Sequence, residues 1–289
     1  MEKAALVLEG GGMRGIFTSG VLDAFIEKGI DIPYVIGVSM GAYNGVSYIT
    51  EQKERTFKIF MDYIYDPRLL DYKRIFKGDS LLNSDFLINF MGKSKYPIDY
   101  DKFFKSPKKF ICVSTNCKTG KPTYFDKNGY PQKYFNRILK SSCSYPFLTD
   151  IVEIGGEEYL DGGISDAIPI KKALDDGNKK LVVILCHPKG YEDESSWYLN
   201  ISKLWYRSYP KIAEALKRRY IHYNGTLYFL DLLEKEKIAF VIRPETMPLS
   251  VIEQDRVKLR LFYKAGYNKG IEVSKNLKEF LKTPSLISD

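Results

Sequence analysis

Two short apolar runs near the start of the chain each end in a glycine turn and then give way to a helical pattern. Ala4 to Leu8 runs into Gly10-Gly11-Gly12, after which Ile16 to Lys28 carries helical periodicity and Gly29 closes it. Ile32 to Val38 runs straight into Ser39, with a second helix expected from near Gly41. The first fifty residues therefore read as βαβα. Strands separated by helices cannot pair as hairpins and need crossovers, so this pattern predicts an α/β protein with a mainly parallel sheet and helices on both faces.

The remainder fits that frame. Residues 51–107 mix helical pieces with Pro67, Pro97, Pro107 and many charges, and read as a helical, loop-rich insertion. Lys109 to Thr115 is a predicted strand with Pro122 to Phe125 as its partner, and Gln132 to Ser141 is a helix. Ile151 to Ile154 and Glu158 to Leu160 flank Gly155-Gly156 as a hairpin. A short helix from Ile170 to Asp176 precedes a strand from Leu181 to Cys186. Residues 196–236 are helical in period, Ala239 to Arg243 is a last strand, and Ile252 to Leu281 is mostly helical.

With 289 residues and 44% hydrophobic content the chain can bury a large core, which excludes disorder as the main state. Its apolar stretches, such as Leu181 to Cys186, are too short to cross a bilayer, and a lone Lys3 before five apolar residues does not make a signal peptide. The sequence reads as cytoplasmic. Four cysteines, Cys112, Cys117, Cys143 and Cys186, are too sparse for a disulfide framework. Cys112 and Cys117 lack spaced histidines, so metal is not expected.

Gly37-Val38-Ser39-Met40-Gly41 is a G-x-S-x-G motif that closes a strand and opens a helix. A sharp turn of this kind needs its flanking glycines so that the serine can project from the top of the sheet, which makes Ser39 a candidate nucleophile. Gly10-Gly11-Gly12-Met13-Arg14-Gly15 also joins a strand to a helix. Its G-x-G-x-x-G spacing fits a dinucleotide pyrophosphate, or equally an oxyanion hole built from the same backbone N–H groups. A ribose-binding fold would end the second strand with an acidic residue, whereas this chain ends it with Ser39, which favours the oxyanion reading. The usual base for a serine is histidine, and the chain has two, His187 and His222. His187 ends a buried strand and His222 lies in an aromatic, basic stretch, and each reads more readily as a packing or surface side chain. Asp161, followed by Gly162 and Gly163, offers another route, because a partly desolvated carboxylate can take a hydroxyl proton. Asp-Gly is also an ordinary turn.

These three elements, Gly10 to Gly15, Gly37 to Gly41 and Asp161-Gly162-Gly163, resemble in that order the patatin-like phospholipase family. The resemblance covers residues 4 to 175 and implies a Ser-Asp dyad that works without histidine. Carried over residue by residue, Ser39 would be the nucleophile, Asp161 the base, and Gly10, Gly11, Gly12, Met13, Arg14 and Gly15 the oxyanion loop. Ser142-Cys143-Ser144-Tyr145-Pro146 is similar to the family's small-residue and proline segment, with Cys143 and Tyr145 bulkier than usual. The tail is similar to that of a bacterial subfamily with an extra C-terminal region. The expected layout is a catalytic domain over 4–175 with a mostly helical region over 176–289 packed on it. The implied activity is hydrolysis of carboxylic esters of phospholipids or other lipids through an acyl-enzyme, without a cofactor. The rival readings are a nucleotide-binding protein using the glycine loop and a catalytically silent lipid-binding module.

Charge is uneven. Residues 1–170 hold 22 basic against 21 acidic side chains, and residues 171–289 hold 22 against 15. Lys203, Arg207, Lys211, Lys217, Arg218 and Arg219 lie among Trp197, Trp205, Tyr206 and Tyr209. If helical spacing gathers them on one face they suit an anionic membrane; the alternative is a packed region whose aromatics are core and whose charges solubilise. No nucleic-acid-binding signature accompanies them. Asp175-Asp176 and Glu192-Asp193-Glu194 read as solvated turns.

Overall fold

Residues that alternate between two apolar environments along each strand dictate the architecture. In β1 (Ala4–Leu8), Ala4, Leu6 and Leu8 join one buried cluster and Ala5 and Val7 another, so the strand is covered on both sides. The computed structural model describes residues 3–69, 95–194 and 198–284. β1 pairs in parallel with β2 (Tyr34–Val38) and with β7 (Lys180–Ile184), β2 with β3 (Lys109–Asn116), and β7 with β8 (Ala239–Ile242). Two strands run the other way, β4 (Pro122–Asp126) and β6 (Glu157–Asp161), each antiparallel to β3, and β5 (Val152–Ile154) pairs antiparallel with β6 and so returns to the direction of β3. The result is a mixed, mostly parallel sheet whose strands are hydrogen-bonded along the path β5-β6-β3-β2-β1-β7-β8, with β4 also pairing with β3.

One face is packed by α1 (Ile16–Glu27), α2 (Met40–Ile49), α3 (Arg55–Tyr63) and α4 (Tyr100–Lys105), together with α5 (Phe135–Ser142). α6 (Ile170–Asp175) lies across the opposite face, which is also covered by α8 (Pro210–Lys235). α7 (Tyr198–Trp205) precedes α8, and α9 (Arg256–Lys282) lies along α1 on the first face. The α1–α9 contact is close because Gly266 has no side chain: a Cβ there would sit 2.1 Å from the Phe17 carbonyl oxygen. Tyr263 of α9 donates to Asp23 of α1 at 2.8 Å.

Several boundaries differ from the sequence reading for identifiable reasons. β2 starts at Tyr34 rather than Ile32, since Pro33 has no N–H to give a ladder. The helical stretch 196–236 is two helices, because Pro210 fits the first turn of a new helix better than the interior of an old one. α9 begins after Asp255, whose side chain caps the Val257 and Lys258 amides at 2.7 and 3.2 Å. Part of the 51–107 insertion, residues 70–94, lies outside the described residues. Asp176 is no solvated turn: it receives Tyr34 Oη at 2.8 Å and Lys109 Nζ at 3.1 Å and also pairs with Lys172, tying α6 to the sheet.

Candidate active site

The register around β3 brings the two predicted chemical groups together. Val38, the last residue of β2, pairs with Val113, and Asp161, the last residue of β6, pairs with Ser114. β4 overlaps both β2 and β6 along β3, so those two must share its other edge. Running in opposite directions, β2 and β6 therefore meet end to end, and Ser39 and Asp161 follow from neighbouring positions.

Ser39 sits on a sharp turn with φ 53° and ψ −127°, a backbone state that non-glycine residues rarely adopt. Close packing holds it there. A Cβ on Gly41 would lie 2.5 Å from the Leu8 carbonyl oxygen, so the turn can press against β1 only with glycine at that position. Ser39 N–H donates to Ser142 Oγ at 2.8 Å, and Ser142 Oγ donates to the Val113 carbonyl at 2.6 Å. Through Ser144, whose carbonyl accepts from Asp161 N–H at 2.9 Å, the same segment also holds the other chain end. The Ser142–Pro146 resemblance thus falls on a brace shared by Ser39 and Asp161.

Asp161 is 3% exposed. Its Oδ1 accepts from Gly163 N–H at 2.7 Å, while Oδ2 is buried without a hydrogen-bond partner among the described residues. Burial pushes the carboxyl up to about 6, against the opposing influence of the nearby Ser39 hydroxyl, the Gly163 amide and the Arg219 charge. The Ser39 hydroxyl is close enough to favour the carboxylate without meeting hydrogen-bond geometry.

The glycine loop lies opposite. Met13 N–H is taken by the Val251 carbonyl at 3.0 Å and Arg14 N–H by the Gly11 carbonyl at 3.2 Å, whereas the Gly11 and Gly12 amides have no protein acceptor among the described residues. The open donors of the expected six-residue loop are thus confined to its centre. Gly12 has φ +55°, and a Cβ there would meet the Val251 carbonyl at 2.5 Å. Gly10, Gly11, Gly12, Ser39 and Asp161 all line one cavity of about 750 Å³, whose walls include Tyr145, Phe147 and Leu216.

The His187 ring is engaged away from Ser39. His187 Nε2 lies 2.8 Å from Arg14 Nη1, which can only donate, so Nε2 accepts and the ring proton is on Nδ1, 3.1 Å from Glu9 Oε1. His222 is exposed on α8. Glu9 is fully buried; burial alone would raise its carboxyl, but His187, the Tyr223 hydroxyl and the Cys186 amide hold it below the usual range.

Two groups expected at the surface are in the cleft. Arg219 Nε donates to the Gly163 carbonyl at 2.9 Å and its Nη1 pairs with Asp193, which is therefore not a solvated turn residue. A helical phase was the available signal: Ile212, Leu216, Arg219 and Tyr223 fall at i, i+4, i+7 and i+11, one face of α8. The other basic side chains, Lys203, Arg207, Lys211, Lys217 and Arg218, are exposed, as are Leu204 and Trp205 at 75% and 63%. Trp197 lies outside the described residues. The four cysteines are buried and unbridged. Among the described residues no helix is long and apolar enough to cross a membrane.

Comparison with known proteins defines the class. The family model described as patatin-like phospholipase matches residues 6–174, and the chain belongs to that family. A domain of unknown function, DUF6363, matches residues 209–282. The uncharacterized protein YjjU of Escherichia coli is 32% identical over 91% of this chain and 75% of its own length. Lysophospholipase NTE1 of Meyerozyma guilliermondii is 23% identical over 99% of this chain, and patatin-like phospholipase domain-containing protein 6 of Homo sapiens 26% identical over 92%; in each the match spans 20% of the larger protein. In fold, the chain is similar to VipD from Legionella pneumophila, with a TM-score of 0.55 at 15% identity over 96% of this chain and 67% of that one. Family membership supports a lipid ester hydrolase.

Proposed function

We propose that this protein is a serine acyl hydrolase that cleaves carboxylic esters of phospholipids or lysophospholipids through a Ser39–Asp161 dyad and an acyl-enzyme. The observation that carries the reading is the meeting of β2 and β6 on one edge of β3, with an unpartnered Asp161 oxygen beside a strained, braced serine. Asp161 takes the Ser39 proton as Oγ attacks the ester carbonyl. The N-terminus of α2 and the open Gly11 and Gly12 amides are suited to the oxyanion that forms. Asp161 returns the proton to the departing alkoxide, then takes one from the water that attacks acyl-Ser39 and passes it to Ser39 Oγ as that oxygen leaves and the fatty acid is freed. A raised carboxyl pKa suits such a base, bringing its proton affinity closer to neutrality.

The exposed basic and aromatic side chains of α7 and α8 support peripheral contact with an anionic membrane. Trp205 stacks edge-on against Phe147 at 5.8 Å, and Phe147 lines the cavity, so this surface adjoins the cleft. Labelling with a fluorophosphonate tests the chemistry: the expected result is a single adduct on Ser39, and an unlabelled Ser39 in folded protein contradicts it, because only an activated serine reacts.

A further inference from the structure

One face of α8 reaches both halves of the catalytic cleft. Arg219 donates to the carbonyl of Gly163, two residues after Asp161, and Tyr223, one turn later, donates to Glu9, immediately before the glycine loop. Glu9 in turn orients His187, whose Nε2 accepts from Arg14 within that loop. Asn224 adds a third grip: its Oδ1 accepts from Asp193 N–H at 2.8 Å and its Nδ2 donates to the Asp193 carbonyl at 2.9 Å, fixing the wall that Arg219 pairs with. All three side chains fall within residues 209–282, the stretch matched by DUF6363.

We propose that α8 is a clamp across the active site, with Arg219 positioning the Asp161 loop and Tyr223 positioning the glycine loop, so that the C-terminal region completes the catalytic machinery. The inference rests on the hydrolase reading above. Arg219 is a positioning residue, acting through the Gly163 carbonyl and through its charge near Asp161. The groups facing Arg219 include Asp161, together with Asp193 and Tyr191 of the neighbouring loop and Tyr223 of its own helix. Those facing Asp161 are Ser39, Cys143, Cys112 and Arg219, of which Arg219 is the one that carries a fixed positive charge. Removing that charge disfavours the Asp161 carboxylate, while lysine retains it.

The test is the pH dependence of kcat and KM on a soluble p-nitrophenyl ester for wild type, Arg219→Gln, Arg219→Lys, Tyr223→Phe and Lys269→Gln, the last a charge change on α9 that lines no part of the cavity. Arg219→Gln is expected to lower kcat by about tenfold to a hundredfold with little change in KM, and to move the acid limb of kcat to higher pH. Arg219→Lys should keep the limb near wild type, Tyr223→Phe should lower kcat without moving it, and Lys269→Gln should do neither. The limb's midpoint does not depend on how much of a variant folds, so a poorly folding Arg219→Gln still gives an answer. A wild-type limb and kcat in Arg219→Gln, or the same limb shift in Lys269→Gln, overturns the clamp while leaving the hydrolase intact. Full activity in Ser39→Ala overturns both.

Discussion

At the scale of single residues, the burial of Asp161 that suits it to the proposed role of base comes at the expense of stability. Its carboxyl titrates at about 6 in the folded protein against 3.8 ordinarily, because burial outweighs the Ser39, Gly163 and Arg219 contributions. Between those two values the folded state holds a proton that the unfolded chain releases, so this group lowers stability as pH rises through that window, and the loss is complete above about 6. Asparagine has no charge to bury. Asp161→Asn is therefore expected to stabilise the protein at pH 7.5 by on the order of 2–3 kcal/mol, and hardly at all near pH 4. Thermal unfolding at the two pH values checks this, and an equal gain at both would show that the carboxylate is not the cause. The same titration predicts that ester hydrolysis by the wild type falls as pH drops through about 6, as the base takes up its proton.

At the scale of elements, β3 and the α7–α8 pair do most to define the site and its surroundings. β3 sets the meeting point of β2 and β6, and α8 contributes an inward face with Arg219 and an outward one with Lys217 and Arg218. The exposed side of α7 presents Lys203, Leu204 and Trp205, with Arg207 just beyond. Each basic residue near an anionic surface contributes about 1 kcal/mol, although Glu214 offsets part of this by pairing with Lys211 and Arg218. Co-sedimentation should show stronger binding to phosphatidylserine-containing vesicles than to phosphatidylcholine vesicles, weakening with salt and on replacing Lys203, Arg207, Lys217 and Arg218 with Gln. Equal binding to both vesicle types would remove the electrostatic role and leave the dyad untouched.

At the scale of the whole molecule, what could be read in the sequence was whatever local geometry enforces. The two strand-turn-helix units are written in Ala4–Gly15 and Tyr34–Gly41, where apolar runs meet glycines such as Gly12, Gly37 and Gly41, at which a Cβ would strike backbone. Ser39 and Asp161, the proposed dyad, stood out because a serine elbow and an Asp-Gly-Gly loop are short motifs. Arg219 and Tyr223 did not, since they reach the cleft from α8 through contacts 56 and 214 residues away in sequence, and their neighbour Arg218 is equally basic but exposed. The Glu9–His187–Arg14 chain was hidden for the same reason: its members are 178 and 173 residues apart. Long-range polar pairing leaves no local period to read. The central claim is that Ser39 and Asp161 act as one catalytic unit, and the rate of lipid ester cleavage by Ser39→Ala, Asp161→Asn and the double variant tests it most directly. Each single variant is expected to lose essentially all activity and the double variant to be no worse than either, because removing one member of a unit already removes covalent catalysis. Retention of more than about a tenth of wild-type activity by either single variant, or losses that multiply in the double one, would contradict the dyad.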